Sequence, residues 1–352
     1  MTADTTLGPE RTERARRLLE SAGCRGPFTL ARLAGGANNQ VYRVNDGPLV
    51  LKAYATHPAD PRDRLGAEFA LSTFAWGHGL RCLPQPVACD RDARLALYGH
   101  VAGRSLAAEE VTAAAVRQAV DFFARLNELK GEAGAADLPD ASEACFSLDA
   151  HLQTVGRRVE RLRHIEEGGE VESEAARFVA DELAPACAEL VESLRRRAER
   201  LGIDAAAVLP FDERCLSPSD FGFHNALLAQ DGRLVFVDFE YAGWDDPAKA
   251  ACDFFCQPRL PVPAACWDDF AAAVVRGLSE PERHLERMRL LLPAYRLKWC
   301  CILLNDFLPA GRHRRRFALA EADETEAKHR QLRKAREALR VAAAALGRGL
   351  AA

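Results

Sequence analysis

Helical spacing of apolar residues runs from about residue 103 to the end of the chain and is broken by one β-prone stretch, residues 225–239. The helical stretches are 108–130, 147–166, 171–201, 264–278, 280–305 and 318–346, the last rich in Ala, Glu, Lys and Arg. The first hundred residues have a different character. TLARLA, QVYRV and PLVLKAYA, within 28–54, are β-prone runs separated by GGANN and NDG, which predicts three antiparallel strands. Residues 61–78 have helical spacing with Leu65, Phe69 and Trp76 on one face, and Leu83–Val87 and Leu95–Val101 read as two more strands. A short amphipathic helix is expected over 9–22, with Ala15, Leu18 and Leu19 on one side. The chain is therefore α+β: a small sheet-based part with one embedded helix, then a larger, mainly helical part. Residues 131–146 are the expected mobile loop.

The β-prone interruption lies inside SPSDFGFHNALLAQDGRLVFVDFEYAGWDDP, residues 217–247. Asp231-Gly232 between apolar runs predicts a two-residue hairpin turn. That turn sets Asn225 opposite Asp238, with Cβ atoms about 4.5–5.5 Å apart. A carboxylate beside an amide oxygen suits a hard cation such as Mg²⁺, which demands oxygen ligands. Asp220 lies five residues before Asn225 and reaches the same space from the loop. In kinases an Asp, an Asn and a second Asp so arranged are the hydroxyl-orienting base and the two metal ligands.

A nucleotide clamp is readable upstream. Gly35-Gly36-Ala37-Asn38-Asn39 joins two strands, and glycines there let backbone N–H groups approach phosphates. No Gly-Lys-Ser or Gly-Lys-Thr follows, so it is not a Walker A loop. A turn at Asp46-Gly47 pairs Lys52 with Val41, just beyond the glycines. An ammonium inside Leu-Val-Leu-Lys needs an acid partner if it is buried. Glu68 supplies one from beside the Leu65–Phe69 face of the following helix and would hold Lys52 toward the α- and β-phosphates.

The net charge of -4 gives no basis for a nucleic-acid partner. The first residues are polar and charged, without the apolar core of a signal peptide, and no apolar run is long enough to span a membrane. The 11 cysteines include no CxxC pair, so they are expected to be reduced in a cytoplasmic protein rather than zinc ligands or disulfides.

The ordered set Gly35-Gly36, Lys52, Glu68, Asp220, Asn225 and Asp238 resembles the aminoglycoside phosphotransferase and choline kinase family, which shares the protein-kinase fold. The likeness covers roughly residues 28–256, and VDFEYAGWDDP is its most specific piece. It implies a bilobal kinase-like fold: an N-lobe over 1–97, a hinge at 98–102 and a helical C-lobe over 103–352. It also implies ATP or GTP with Mg²⁺ and transfer of a phosphoryl group to a small-molecule hydroxyl. Lys52 and Glu68 would serve the phosphates, together with Gly35, Gly36, Asn38, Asn39 and Val41 around the loop. Asp220 would be the base, Asn225 and Asp238 the metal ligands, and Tyr98 to Val101 the nucleobase-binding hinge.

Two departures stand out. Pro218-Ser219 occupies the positions of the family's His-Gly, and Ala250 stands where an Asp is frequent, with Asp253 one helical turn on. Glu240, Trp244, Asp246, Asp253, Asn305 and Asp306 are the candidate acceptor contacts, which suit a cationic aminoglycoside or amine alcohol, and a sugar, amino-sugar or aminoglycoside-like acceptor is the leading expectation. The basic run 312–316 would suit an anionic acceptor instead. A choline- or homoserine-type kinase and a non-catalytic nucleotide-binding regulator are the alternatives.

Overall fold

The computed structural model describes residues 7–33, 39–55, 62–166, 168–308 and 324–349. Gly35, Gly36, Asn38 and the 312–316 run therefore lie outside the described residues. Two compact units form, one from residues 1–142 and 215–244, the other from 143–214 and 245–352.

The first unit opens with helix α1 (Pro9–Ser21), whose Ala15, Leu18 and Leu19 are buried as their spacing predicts. Strands β1 (Leu30–Arg32), β2 (Asn39–Val44) and β3 (Leu49–Tyr54) follow, then α2 (Arg64–Gly77), β4 (Pro86–Asp90) and β5 (Leu95–Gly99). The strands make one antiparallel sheet in the order β1-β2-β3-β5-β4. The strand expected at Leu83–Val87 begins instead at Pro86, a residue without an N–H that suits a strand's first position.

Alternation decides which side chains face which layer. Leu51, Ala53, Leu95 and Leu97 pack with Leu18 and Leu19 of α1. Tyr54, Ala96 and Tyr98 point the other way and pack with Leu65 of α2. Lys52, between Leu51 and Ala53, is therefore turned toward the α2 face. Val41 pairs with Lys52, the register read from the sequence. The connecting loop is longer than expected, spanning Asn45–Pro48, with positive φ at Asn45 and Asp46.

Strand β6 (Gly103–Ser105) and helix α3 (Ala113–Glu128) lead to β7 (Cys215–Ser217), β8 (Ala226–Ala229), β9 (Leu234–Phe236) and β10 (Gly243–Asp245). β6, β8 and β9 form a three-stranded antiparallel sheet. The β8–β9 register differs from the sequence reading by one residue: Ala226 pairs with Phe236 and Leu228 with Leu234. Val237 N–H donates to the Asn225 carbonyl at 2.9 Å, so Asn225 faces Val237 rather than Asp238. Gly232 alone in the turn has positive φ, 81°, whereas a two-residue type I′ turn needs it at both central residues. The connection is a three-residue loop closed by Ala229 N to Arg233 O at 2.9 Å and Gly232 N to Ala229 O at 3.0 Å.

The segment 131–146 is tied down rather than loose. Ala141 N and Ser142 N donate to the carbonyls of Trp244 and Tyr241, and Trp244 N donates to Pro139 O. Gly243, with φ 158°, passes so close to this segment that a Cβ there would lie 2.2 Å from Pro139 O.

The second unit is helical: α4 (Leu148–Leu162), α5 (Glu170–Phe178), α6 (Ala184–Arg200), α7 (Pro247–Cys256), α8 (Trp267–Val274), α9 (Pro281–Leu303) and α10 (Glu324–Gly349). The single helix expected over 171–201 is divided by a π-helical turn at Val179–Leu183. Pro185, at the start of α6, lacks the N–H that would continue an α-helical ladder, and the wider turn accommodates it. Among the described residues no helix is long and apolar enough to cross a membrane.

Candidate active site

The first unit gathers most of the residues singled out in the sequence. Lys52 Nζ lies 2.6 Å from Glu68 Oε2 and 2.6 Å from Asp238 Oδ1. β3 supplies the lysine. Helix α2, capped by Asp63 accepting from Gly66 N–H, places Glu68 opposite it. Tyr54 OH donates to the same Glu68 oxygen at 2.8 Å and lies 3.0 Å from Tyr98 OH. Tyr98 thus belongs to the support of the ion pair through its side chain. In the expected hinge, Gly99 N and His100 N are bonded to the carbonyls of Gln85 and Pro48.

One ammonium serves two carboxylates here, and this sets the electrostatics. Burial alone would lower Lys52, but Asp238 and then Glu68 hold its pKa well above the ordinary lysine value. Burial pushes Glu68 up to about 7 against the pull of Lys52. Asp238 is likewise raised by burial, with Glu240 and Asp220 adding to it against Lys52. Negative charge thus exceeds positive charge around Asp238, an arrangement that favours a further cation.

Glu240 is almost fully buried, at 2% exposure. It accepts from Asn39 Nδ2 at 2.6 Å and pairs with Arg64 at 3.3 Å. Burial opposes its ionisation, yet Lys52 and Arg64 hold its pKa below the usual value. It therefore links the start of β2 to α2, and Asn39 Oδ1 also accepts from Ala55 N–H at 3.3 Å.

Asp220 follows a tight turn. Ser219 has φ 66° and its N–H donates to Ser217 Oγ at 3.0 Å. Asn225 Nδ2 donates to the Asp220 carbonyl at 2.9 Å and to its Oδ2 at 3.2 Å. The amide nitrogen being used this way, the Asn225 amide oxygen is the end left for a ligand. Asp238 also has positive φ, 68°. Left-handed non-glycine backbone costs about 1–3 kcal/mol and concentrates at functional sites.

Residues that the sequence pattern does not mark hold β7 and the hairpin. Asn127 of α3 donates to Leu216 O at 2.9 Å and accepts from Leu216 N–H at 2.8 Å, acting as a short strand partner for β7. Gln118, also on α3, donates to Gly232 O at 3.1 Å and accepts from Leu234 N–H at 2.8 Å. Phe122 stacks on Phe236 at 4.7 Å and lies 5.6 Å from Phe221. α3 thus binds β7 and the hairpin turn and packs against Phe221 and Phe236.

Among the described residues no group of three or more His, Cys, Asp or Glu side chains is placed to hold a metal. The Asp238 carboxylate and the Asn225 amide oxygen are donors of the all-oxygen kind. That fits an ion such as Mg²⁺, which keeps waters and substrate phosphates as its other ligands.

Trp244, Asp246 and Asp253, among the remaining candidates, are occupied elsewhere. Trp244 is buried and its Nε1–H donates to Ala135 O at 2.9 Å. In the second unit Asp246 caps α7 and is bound by His151 at 2.9 Å and Arg287 at 2.7 Å. Although burial opposes ionisation, Arg287 and His151 hold the Asp246 carboxyl well below the usual range. Asp253 binds Lys298 at 2.8 Å and accepts from Trp299 Nε1–H at 2.8 Å. Asn305 and Asp306 lie half-buried in a short 3-10 turn after α9.

Over residues 29–291 the sequence matches the family model described as the phosphotransferase enzyme family. None of the curated proteins matches it. Among solved structures, a choline/ethanolamine kinase family protein from Mesorhizobium loti has 18% identity and a TM-score of 0.56, covering 96% of this chain and 99% of its own. An ethanolamine kinase from Plasmodium vivax has 12% identity and a TM-score of 0.59, covering 95% and 92%. An ADP-bound aminoglycoside phosphotransferase has 14% identity and a TM-score of 0.51, covering 93% and 97%. At these identities the likeness establishes a shared fold, the kinase-like fold that the sequence resemblance implied.

Proposed function

The chain belongs to the phosphotransferase enzyme family, and from that premise we propose that it transfers the γ-phosphoryl group of ATP or GTP to a hydroxyl of a sugar, amino-sugar or aminoglycoside-like acceptor. The observation that carries this reading is the position of Lys52 Nζ, 2.6 Å from both Glu68 and Asp238. That pairing joins the lysine that would meet the α- and β-phosphates to the acid that would hold the metal. In this reading residues 1–97 are the nucleotide-clamping lobe, 98–102 the hinge with Val101 toward the nucleobase, and 103–352 the acceptor lobe. The protein acts in the cytoplasm.

Asp238 and the Asn225 amide oxygen would hold Mg²⁺, whose charge would neutralise phosphate oxygens as the transfer proceeds. Asp220 orients the acceptor hydroxyl in line and takes its proton as the new P–O bond forms and the bond to the departing nucleoside diphosphate breaks. Asn225 keeps Asp220 in place through the two hydrogen bonds from its amide nitrogen.

The acceptor class is the finer part of the proposal. Asp246 and Asp253 are consumed by internal ion pairs, so they serve the scaffold. Asn305 and Asp306, half-buried, remain the acceptor contacts of this reading. Two of the similar structures are named for choline or ethanolamine, which supports a small amino alcohol as a second acceptor class. A nucleotide-consumption screen with Mg²⁺ over aminoglycosides, monosaccharides, heptoses, choline, ethanolamine and homoserine separates the two. Acceptor-dependent consumption that disappears in Asp220→Ala is expected. Equal consumption by Asp220→Ala would remove Asp220 from its role.

A further inference from the structure

His224 sits inside the Asp220–Asn225 span, where its side chain is 10% exposed. Its Nε2 lies 3.3 Å from Asp220 Oδ1, the oxygen that Asn225 does not bind. Its other ring nitrogen, Nδ1, is buried with no hydrogen-bond partner. A proton on Nδ1 would be an N–H buried without an acceptor, a penalty of about 1–3 kcal/mol. The same proton on Nε2 meets a carboxylate. The geometry therefore selects the Nε2–H tautomer, donating to Oδ1.

The loop before Asp220 is a tight turn, in which Ser219 N–H donates to Ser217 Oγ. Pro218 has no N–H to give, and Ser219 adopts φ 66° without being glycine. Asp220 N–H is turned back onto Pro218 O at 3.0 Å. We propose that His224 is a positioning residue for the phosphoryl-transfer step: its Nε2–H fixes the rotamer of Asp220 while Asn225 fixes the opposite carboxylate oxygen. Held at both oxygens, Asp220 presents one orientation to the incoming hydroxyl instead of sampling several. The inference rests on the reading of Asp220 as the hydroxyl-orienting base.

The test uses the full chain with MgATP as the probe and water as the acceptor, followed by turnover kinetics and MgATP binding. His224→Ala should lower kcat about 10- to 100-fold, the loss expected when a reacting group is misplaced. KM and Kd for MgATP should change less than about twofold, since positioning acts on the transfer step and not on nucleotide binding. His224→Gln, whose amide N–H reaches the position of Nε2–H, should recover most of the lost rate and guards against a folding defect. In an Asp220→Ala background, His224→Ala should have no further effect on the residual rate. Wild-type turnover in His224→Ala, or an equal loss in the Asp220→Ala background, would overturn the positioning role alone. A wild-type protein that binds neither MgATP nor MgGTP would overturn the phosphotransferase site, and this inference with it.

Discussion

Replacing Glu68 by Gln should flatten the pH dependence of stability between about pH 4.5 and 7. Burial raises the Glu68 carboxyl from 4.5 to about 7. An acid raised in the folded state binds its proton more tightly there than in the unfolded chain. Its contribution is therefore fully present below the unfolded value and is lost as pH rises through the folded one. At about 1.4 kcal/mol per unit, the window corresponds to about 3 kcal/mol of stability lost from this group between acid and neutral pH. Glutamine has nearly the same shape, still accepts from Tyr54 OH and Lys52, and cannot ionise. The assay is urea unfolding followed by tryptophan fluorescence at about pH 5 and about pH 7.5. The wild type should lose about 2.4 kcal/mol more than Glu68→Gln over that interval, since the change is already begun at pH 5. Parallel stability curves for the two proteins would refute the argument, because Glu68 would then not be held near neutrality by burial.

Asn127→Ala strips Leu216 of both hydrogen bonds in a buried strand. It should destabilise by about 2–4 kcal/mol and lower turnover through the Asp220 loop, as measured by urea unfolding and kcat. Phe122→Ala opens a cavity among Phe221, Phe236 and Phe239. Its cost should be about 3–5 kcal/mol in the same unfolding assay. Lys249 is 2% exposed and lies between Asp245 at 2.6 Å and Asp253 at 3.5 Å. Lys249→Met leaves buried carboxylates short of a cation and should destabilise by about 3–5 kcal/mol, with the loss reduced at acid pH where Asp245, raised to about 6 by burial, protonates.

What was legible in the sequence follows from which signals are local. Lys52 stood out because an ammonium in an apolar run needs a partner, and the two-residue strand period then turns it onto the α2 face beside Glu68. The hairpin was legible but not its register. Asp-Gly fits both a two-residue turn and a type I turn closed by a left-handed glycine, and the bonds that choose between them, Ala229 to Arg233 and Arg233 N–H to Asp231 Oδ1, are made only in the folded loop. Asn127 and Gln118 were not legible, because an amide on a helix carries no mark of the strand it will cap 89 or 116 residues away. His224 passed as an unremarkable residue inside Asp-x-x-x-x-Asn. The acids after the hairpin looked like a cationic-acceptor cleft, and pairing with Lys249, Arg287 and Lys298 makes them scaffold instead. Their partners come from distant helices, which composition does not reveal.

In the proposed reading Lys52, Glu68 and Asp238 form a metal-dependent nucleotide site. Calorimetric titration of ATP and GTP into the wild-type protein and Asp238→Ala, with Mg²⁺ and with EDTA, tests it most directly. The wild type should bind one of these nucleotides in Mg²⁺, EDTA should weaken the binding at least about tenfold, and Asp238→Ala in Mg²⁺ should match the wild type in EDTA. Binding by Asp238→Ala that equals the wild type in Mg²⁺, or no binding of either nucleotide by the wild type, would contradict it.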